Sequence, residues 1–160
     1  MNMSQAISAF FDKRLDFLSR SRRSEFWWVQ LAYVFVTIIA VTIDYGVLGY
    51  TPDNVISPFI LLLEIVTLVP MAALTARRLH DVGLTGWAQL PLYLTYIGYI
   101  PGFDGFIFDG FERGGAALVL TVLYWAYFGW LLYNLIRDGG RWENKYGTNP
   151  KYDSLADTFD

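Results

Sequence analysis

The sequence predicts an all-α integral membrane protein: a four-helix bundle with a short N-terminal amphipathic helix and a polar cytoplasmic cap. Three observations carry this. Of 160 residues, 54% are hydrophobic and only 17% charged, whereas soluble domains carry about 25% charged residues. The apolar residues gather into long runs almost free of charge, and about 20 such residues in a helix cross a hydrocarbon core about 30 Å thick. Finally, eleven of the twelve basic residues fall in segments that four crossings would place on one side, the signature of cytoplasmic loops.

Residues 1–25 form a cytoplasmic, amphipathic and basic segment. Within residues 4–19, Ile7, Phe11, Leu15 and Leu18 recur at helical spacing, with Asp12, Lys13, Asp16 and Ser19 largely opposite. Such a helix lies flat on the leaflet or packs on the protein's own cytoplasmic face. Residues 26–136 hold the membrane domain. Its first span, 26–47, has one charge, Asp44, expected near the outer headgroups. The second, 55–76, has one charge, Glu64. The third, 87–103, is the shortest apolar run and contains Pro91, Gly98 and Pro101, so a short, broken or re-entrant segment is expected. The fourth, 115–136, has no charge. Apolar residues surround these helices, whereas a soluble core helix keeps a polar stripe. Residues 137–160 form a polar cytoplasmic tail rich in turn residues, ending in a stretch with Asp153, Asp157 and Asp160.

Orientation follows from the cations. Lys13, Arg14, Arg20, Arg22 and Arg23 precede the first span, Arg77 and Arg78 follow the second, and Arg137, Arg141, Lys145 and Lys151 follow the fourth. Arg113 alone lies on the other side. Both termini are therefore expected in the cytoplasm. Trp27, Trp28 and Trp87 stand at the expected cytoplasmic ends, where indoles prefer the headgroup level. The first apolar run is too long and starts too late for a cleavable signal peptide, so an uncleaved anchor is expected.

Several function classes are excluded. With no Cys there is no disulfide, thiol nucleophile or Cys-based zinc site. One His and scattered carboxylates make no metal-ligand set, and no cofactor is expected. A formal net charge of -3 gives no whole-chain footprint for nucleic acid.

Three polar clusters surround the apolar runs: Arg20-Ser-Arg-Arg-Ser-Glu-Phe-Trp-Trp28, Arg77-Arg-Leu-His-Asp-Val-Gly-Leu-Thr-Gly-Trp87 and Glu143-Asn-Lys-Tyr-Gly-Thr-Asn-Pro150. Their residues and order resemble the bacterial inner-membrane family called domain of unknown function 805, the YhaH-like proteins. That family similarly shows an Arg-Ser-Glu-Phe-Trp entry to helix one, an Arg-Arg-Leu-His-Asp-x-Gly-x-x-Gly-Trp turn before helix three, and an Asn-x-Tyr/Phe-Gly-x-x-Pro tail. The resemblance covers roughly residues 11–150. The chain departs from it at Arg20-Ser-Arg22 and in a long acidic loop between helices three and four. The resemblance implies a membrane topology and no established activity.

The residues themselves suggest more. Helices one and two are antiparallel, so Arg22, Arg23, Arg77 and Arg78 are expected at one headgroup level. Guanidinium forks there suit an anionic lipid headgroup or partner carboxylates; the competing reading is topogenic charge paired with the chain's own Glu25 and Asp81. His80 and Asp81 are expected to serve the turn into helix three, with Gly83 and Gly86 supplying backbone freedom before Trp87. Asn144, Tyr146 and Gly147 are expected to fold over that turn, making one polar cap. No catalytic residues are assigned, because nothing supplies a nucleophile and oxyanion hole around His80. Glu64 falls about 13 Å into helix two, where a charge costs at least about 2.5 kcal/mol; it is either a polar clasp or part of a proton or cation path. The aromatics Tyr124, Trp125, Tyr127, Phe128, Trp130 and Tyr133 surround helix four and favour packing and anchoring over a pigment or quinone site.

The expected function is therefore non-enzymatic. It is an accessory or scaffolding subunit that contacts anionic membrane lipid and associates with other membrane subunits or with itself. The alternative is a small oligomeric transporter or channel using Glu64.

Overall fold

The structure, a computed structural model, describes residues 1–50, 57–93 and 114–151. Among these residues the regular structure is helical, without strands. Helix α1 is Met3–Asp12, α2 is Arg23–Val41 and continues as a π-helical turn, Thr42–Val47. Helix α3 is Pro58–Asp81, a 3-10 segment covers Gly86–Tyr93, and α4 is Gly115–Ile136. Three helices are long and apolar enough to cross a membrane: α2 with its π turn, α3 and α4.

Helix α1 opens on a capping box in which Asn2 and Gln5 bond each other's backbone at 2.9 Å, satisfying two donors that a helix start leaves open. It stops at Asp12, well short of the expected residue 19. The cause lies in Asp16, whose carboxylate accepts from the amides of Leu18 and Ser19 and from the Ser19 hydroxyl. That local turn competes with helix. Helix α1 buries Ala6 and Phe10, while Phe11, Leu15 and Leu18 stay exposed. The face anticipated from residue spacing is therefore not the face that packs.

Helix α3 runs five residues beyond the expected end at Ala76, so Arg77–Asp81 is its last turn and a half rather than a loop. At its other end Ser57 provides no side-chain cap. Asp44 does this from across the bundle: its carboxylate accepts from the amides of Phe59 at 3.1 Å and Ile60 at 3.0 Å. A carboxylate suits the positive end of a helix dipole. Asp44 is fully buried, and the π turn that holds it places its carbonyl to accept from Tyr50 at 3.0 Å.

Most of the expected third span lies outside the described residues. Its described part is 3-10 rather than α, with Pro91 inside; proline lacks the N–H an α ladder needs. Gln89 ties this segment to α3 through the Ala72 carbonyl at 3.1 Å, and the Tyr127 hydroxyl ties α4 to the Ala88 carbonyl at 2.5 Å.

The apolar core gathers at one end, where Ala6, Phe10, Phe26, Val29, Leu74, Leu79, Leu131 and Leu135 pack together. Away from that end the helices present Phe35, Ile38, Leu62, Ile65, Val119 and Leu123 outward. Lipid tails are as apolar as Leu, so a bilayer exerts no pressure to bury such surface. In water a patch of this extent would be a liability.

Candidate functional site

Above the core lies a network of buried charges. Arg20 closes on Asp81 with its Nη2 2.9 Å from Oδ1 and its Nε 3.1 Å from the same oxygen. The other carboxylate oxygen accepts from Arg78 Nη1 at 2.6 Å. Glu25 accepts from Arg77 Nη2 at 3.2 Å. All five side chains are buried. Three guanidinium groups thus meet two carboxylates, and backbone carbonyls take up the surplus donors. Arg20 also donates to Trp142, Gly147 and Gly140; Arg78 donates to Leu135 and Arg137; Arg77 donates to Lys13 and Asp16. Removing ions from water costs several kcal/mol each, and dense coordination of this kind offsets it. Among the described residues, Ser21 Oγ and Arg77 Nε alone are buried side-chain polar atoms without a hydrogen-bond partner.

The four arginines anticipated as one headgroup site therefore divide. Arg77 and Arg78 are fully buried and engaged inside the protein, leaving no face for a ligand. Arg22 donates to the Pro150 carbonyl. Arg23 is half-exposed, 3.5 Å from Asp138. The pairing with Glu25 and Asp81, weighed as the alternative, describes the buried pair.

His80 is held on three sides. Its Nε2 accepts from the Gly86 amide at 3.2 Å, so its Nδ1 carries the proton and donates to the Ser19 carbonyl at 3.2 Å. The Tyr146 ring stacks on the imidazole, centroids 3.6 Å apart and planes within 3°, and Lys145 Nζ sits 4.9 Å from the Tyr146 ring centre. Asn144 donates to the His80 carbonyl at 2.9 Å, and the Asn144 and Gly147 backbones exchange two hydrogen bonds. Asp16 anchors the loop beneath. Burial alone would raise its carboxyl, but the Ser19 hydroxyl, the amides of Ser19 and Leu18 and nearby Arg77 outweigh this and hold it below its ordinary value.

Gly83 turns the chain with φ +83°. Gly86 has a different role from the one expected: its φ is ordinary, and a Cβ there would meet the Ala76 Cβ at 2.8 Å, so it permits close approach to α3. Trp87 is exposed. Two residues of the cap were not singled out by sequence. Arg20 stood there as one of five N-terminal cations and as the start of the first polar cluster, with no role in the cap assigned to it. At Gly139 a Cβ would lie 1.9 Å from Asp81 Oδ2, so the Gly139-Gly140 pair lets the tail lie on the ion pair, with the Gly140 amide donating to the Asp81 carbonyl at 3.0 Å.

Glu64 is half-buried on α3. The Thr37 and Tyr127 hydroxyls bond the carbonyls of Tyr33 and Ala88. No hydrogen bond to Glu64 is formed among the described residues.

Compared with known proteins, the chain matches the family model described as protein of unknown function (DUF805) over residues 14–148. No curated protein matches it, and no solved structure does.

Proposed function

Since this chain belongs to the DUF805 family, whose function is unknown, we propose from its own geometry that it is a non-enzymatic accessory or scaffolding subunit of the bacterial inner membrane. It docks on a larger membrane assembly, or on itself, and contacts anionic lipid. One observation carries this reading: the buried Arg20–Asp81–Arg78 and Arg77–Glu25 network ties the N-terminal loop, α2, α3, α4 and the tail into one platform, above helices whose apolar faces stay largely outward. A rigid cap on helices with open faces suits docking more than turnover. In this reading the cap faces the cytoplasm and the chain crosses four times. The C-terminal ends of α3 and α4 both lie at the cap, Arg78 bonding Leu135, which supports a further crossing by the connection between them. The test is extraction from native membranes in mild detergent followed by affinity purification and size analysis. A stable co-migrating assembly, or a defined homo-oligomer, is expected; a lone monomer contradicts the reading.

A second reading is favoured by Glu64, a carboxyl within an apolar helix that lacks a hydrogen bond among the described residues. A transporter or channel would use it as a proton or cation site. Flux into liposomes that Glu64→Gln abolishes would replace the first reading with this one.

A further inference from the structure

Beside the buried network, on the face of Asp81 turned toward the tail, lies an open cleft of about 590 Å³. Arg22, Arg23, Arg141 and Lys151 line it, together with Ser24 at the start of α2. Two carboxylates, Asp81 and Asp138, share the lining with these cations. Asp81 is already bonded by Arg20 and Arg78, and Asp138 stands 3.5 Å from Arg23 with both side chains mostly in solvent. The Arg141 guanidinium and the Ser24 hydroxyl have no bond among the described residues. The same wall supplies backbone donors: Arg22 gives α2 no side-chain cap, and the first helical bond is from Phe26 to the Arg22 carbonyl. The amides of Arg23, Ser24 and Glu25 therefore lack an acceptor among the described residues, at the positive end of a helix dipole.

We propose that this cleft binds a phosphate group, with Arg23 and Arg141 as its principal cationic contacts and Ser24 as a neutral donor. Arginine forks match phosphate oxygens two at a time, and the cleft lies at the polar end of the helices that are apolar enough to cross a bilayer. This deepens the lipid contact proposed above and rests on it: it moves the site from Arg77 and Arg78, which are buried, to a surface that a headgroup reaches. The shared chemistry is a phosphate mono- or diester, carried either by a lipid or by a soluble compound.

Native mass spectrometry of the full chain in detergent, titrated with phosphatidylglycerol and with phosphatidylcholine, tests it. The double variant Arg23→Ala with Arg141→Ala is compared with Lys13→Ala with Arg14→Ala, which removes the same charge outside the cleft. Wild type is expected to retain phosphatidylglycerol in preference to phosphatidylcholine. The cleft variant should lose that retention about tenfold while the control variant keeps it. Competition by millimolar inorganic phosphate identifies a soluble phosphate compound as the ligand; retention unaffected by it identifies the lipid headgroup; either supports the site. Equal loss in both variants, or loss in neither, overturns the site but leaves lipid contact standing. A wild-type chain that prefers no anionic lipid overturns the lipid contact itself, and with it the site unless inorganic phosphate raises the thermal midpoint of wild type and not of the cleft variant. Thermal midpoints without ligand confirm that both variants fold. The accessory role is read separately, by co-purification.

Discussion

Arg20 and Asp81 lie 61 positions apart in the chain and meet at 2.9 Å, with side chains only 1% and 6% exposed. The pair joins the N-terminal loop to the end of α3, and Arg20 continues to three carbonyls of the tail, on Trp142, Gly147 and Gly140.

Replacing Arg20 leaves the Asp81 carboxylate with Arg78 alone and strips three tail carbonyls of a donor. Breaking one partner of a buried ion pair costs about 3–5 kcal/mol. Arg20→Ala should therefore lower the thermal midpoint of the detergent-purified protein by many degrees. Arg20→Lys should recover little, because an ammonium cannot span the carboxylate and the carbonyls with one planar fork. A midpoint unchanged by Arg20→Ala would mean that the pair does not hold the cap together.

The Gly139 position offers a steric test of the same contact. A methyl group at Gly139 would overlap the Asp81 carboxylate, so Gly139→Ala should release the tail. Limited proteolysis should then cut between residues 138 and 150 at least several times faster than in wild type, while Gly140→Ala, whose added Cβ meets nothing closer than 3.9 Å, should change the rate much less. Equal rates in all three proteins would contradict the placement of the tail.

At the opposite end, Asp44→Ala removes the only acceptor for the Phe59 and Ile60 amides among the described residues. A cap substitution costs about 1–2 kcal/mol, and Asp44→Asn should lie between wild type and Asp44→Ala because it retains one acceptor oxygen. Denaturant unfolding in detergent reads the difference. Equal stability of Asp44→Ala and wild type would remove Asp44 from this role.

His80 gives the cap a pH dependence with a definite sign. In the neutral ring Nε2 accepts from Gly86; protonation would set two N–H donors against each other. Burial of the ring holds its pKa below the ordinary value, so the folded state favours neutral imidazole and the unfolded chain takes up the proton first. The stability that His80 contributes is full above its ordinary value of about 6.5 and is lost as pH falls below it. Thermal midpoints between pH 7.5 and 5 should fall more steeply in wild type than in His80→Asn, and parallel profiles would rule the effect out.

How much of this was legible in the sequence follows from the range of each interaction. The long helices were readable, because apolar run length and charge spacing are local. Arg77–Asp81 as helix was not, since a polar stretch after an apolar run carries no signal that the backbone continues. Nor was the division of the arginines: spacing places Arg77 and Arg78 near Arg22 and Arg23, but whether a guanidinium points inward depends on carbonyls of Lys13, Asp16, Leu135 and Arg137, tens of residues away. Asp44 left one trace, as the lone charge near the end of the first apolar run; its partner left none, because Ser57 before Pro58 reads as a cap for α3 and supplies no such bond. The Asp16 turn shows the reverse case, a local signal strong enough to end α1 against its apolar periodicity.

The central claim is that these helices cross a bilayer and leave the ionic cap in the cytoplasm. The chain has no Cys, so single cysteines report cleanly. Trp142→Cys places one on the cap, where the native side chain is 84% exposed, and Val47→Cys places one at the far end, where it is 74% exposed. A membrane-impermeant maleimide is applied to right-side-out and to inside-out vesicles. The account predicts that Trp142→Cys labels only in inside-out vesicles and Val47→Cys only in right-side-out ones. Labelling of both from the same side would contradict it.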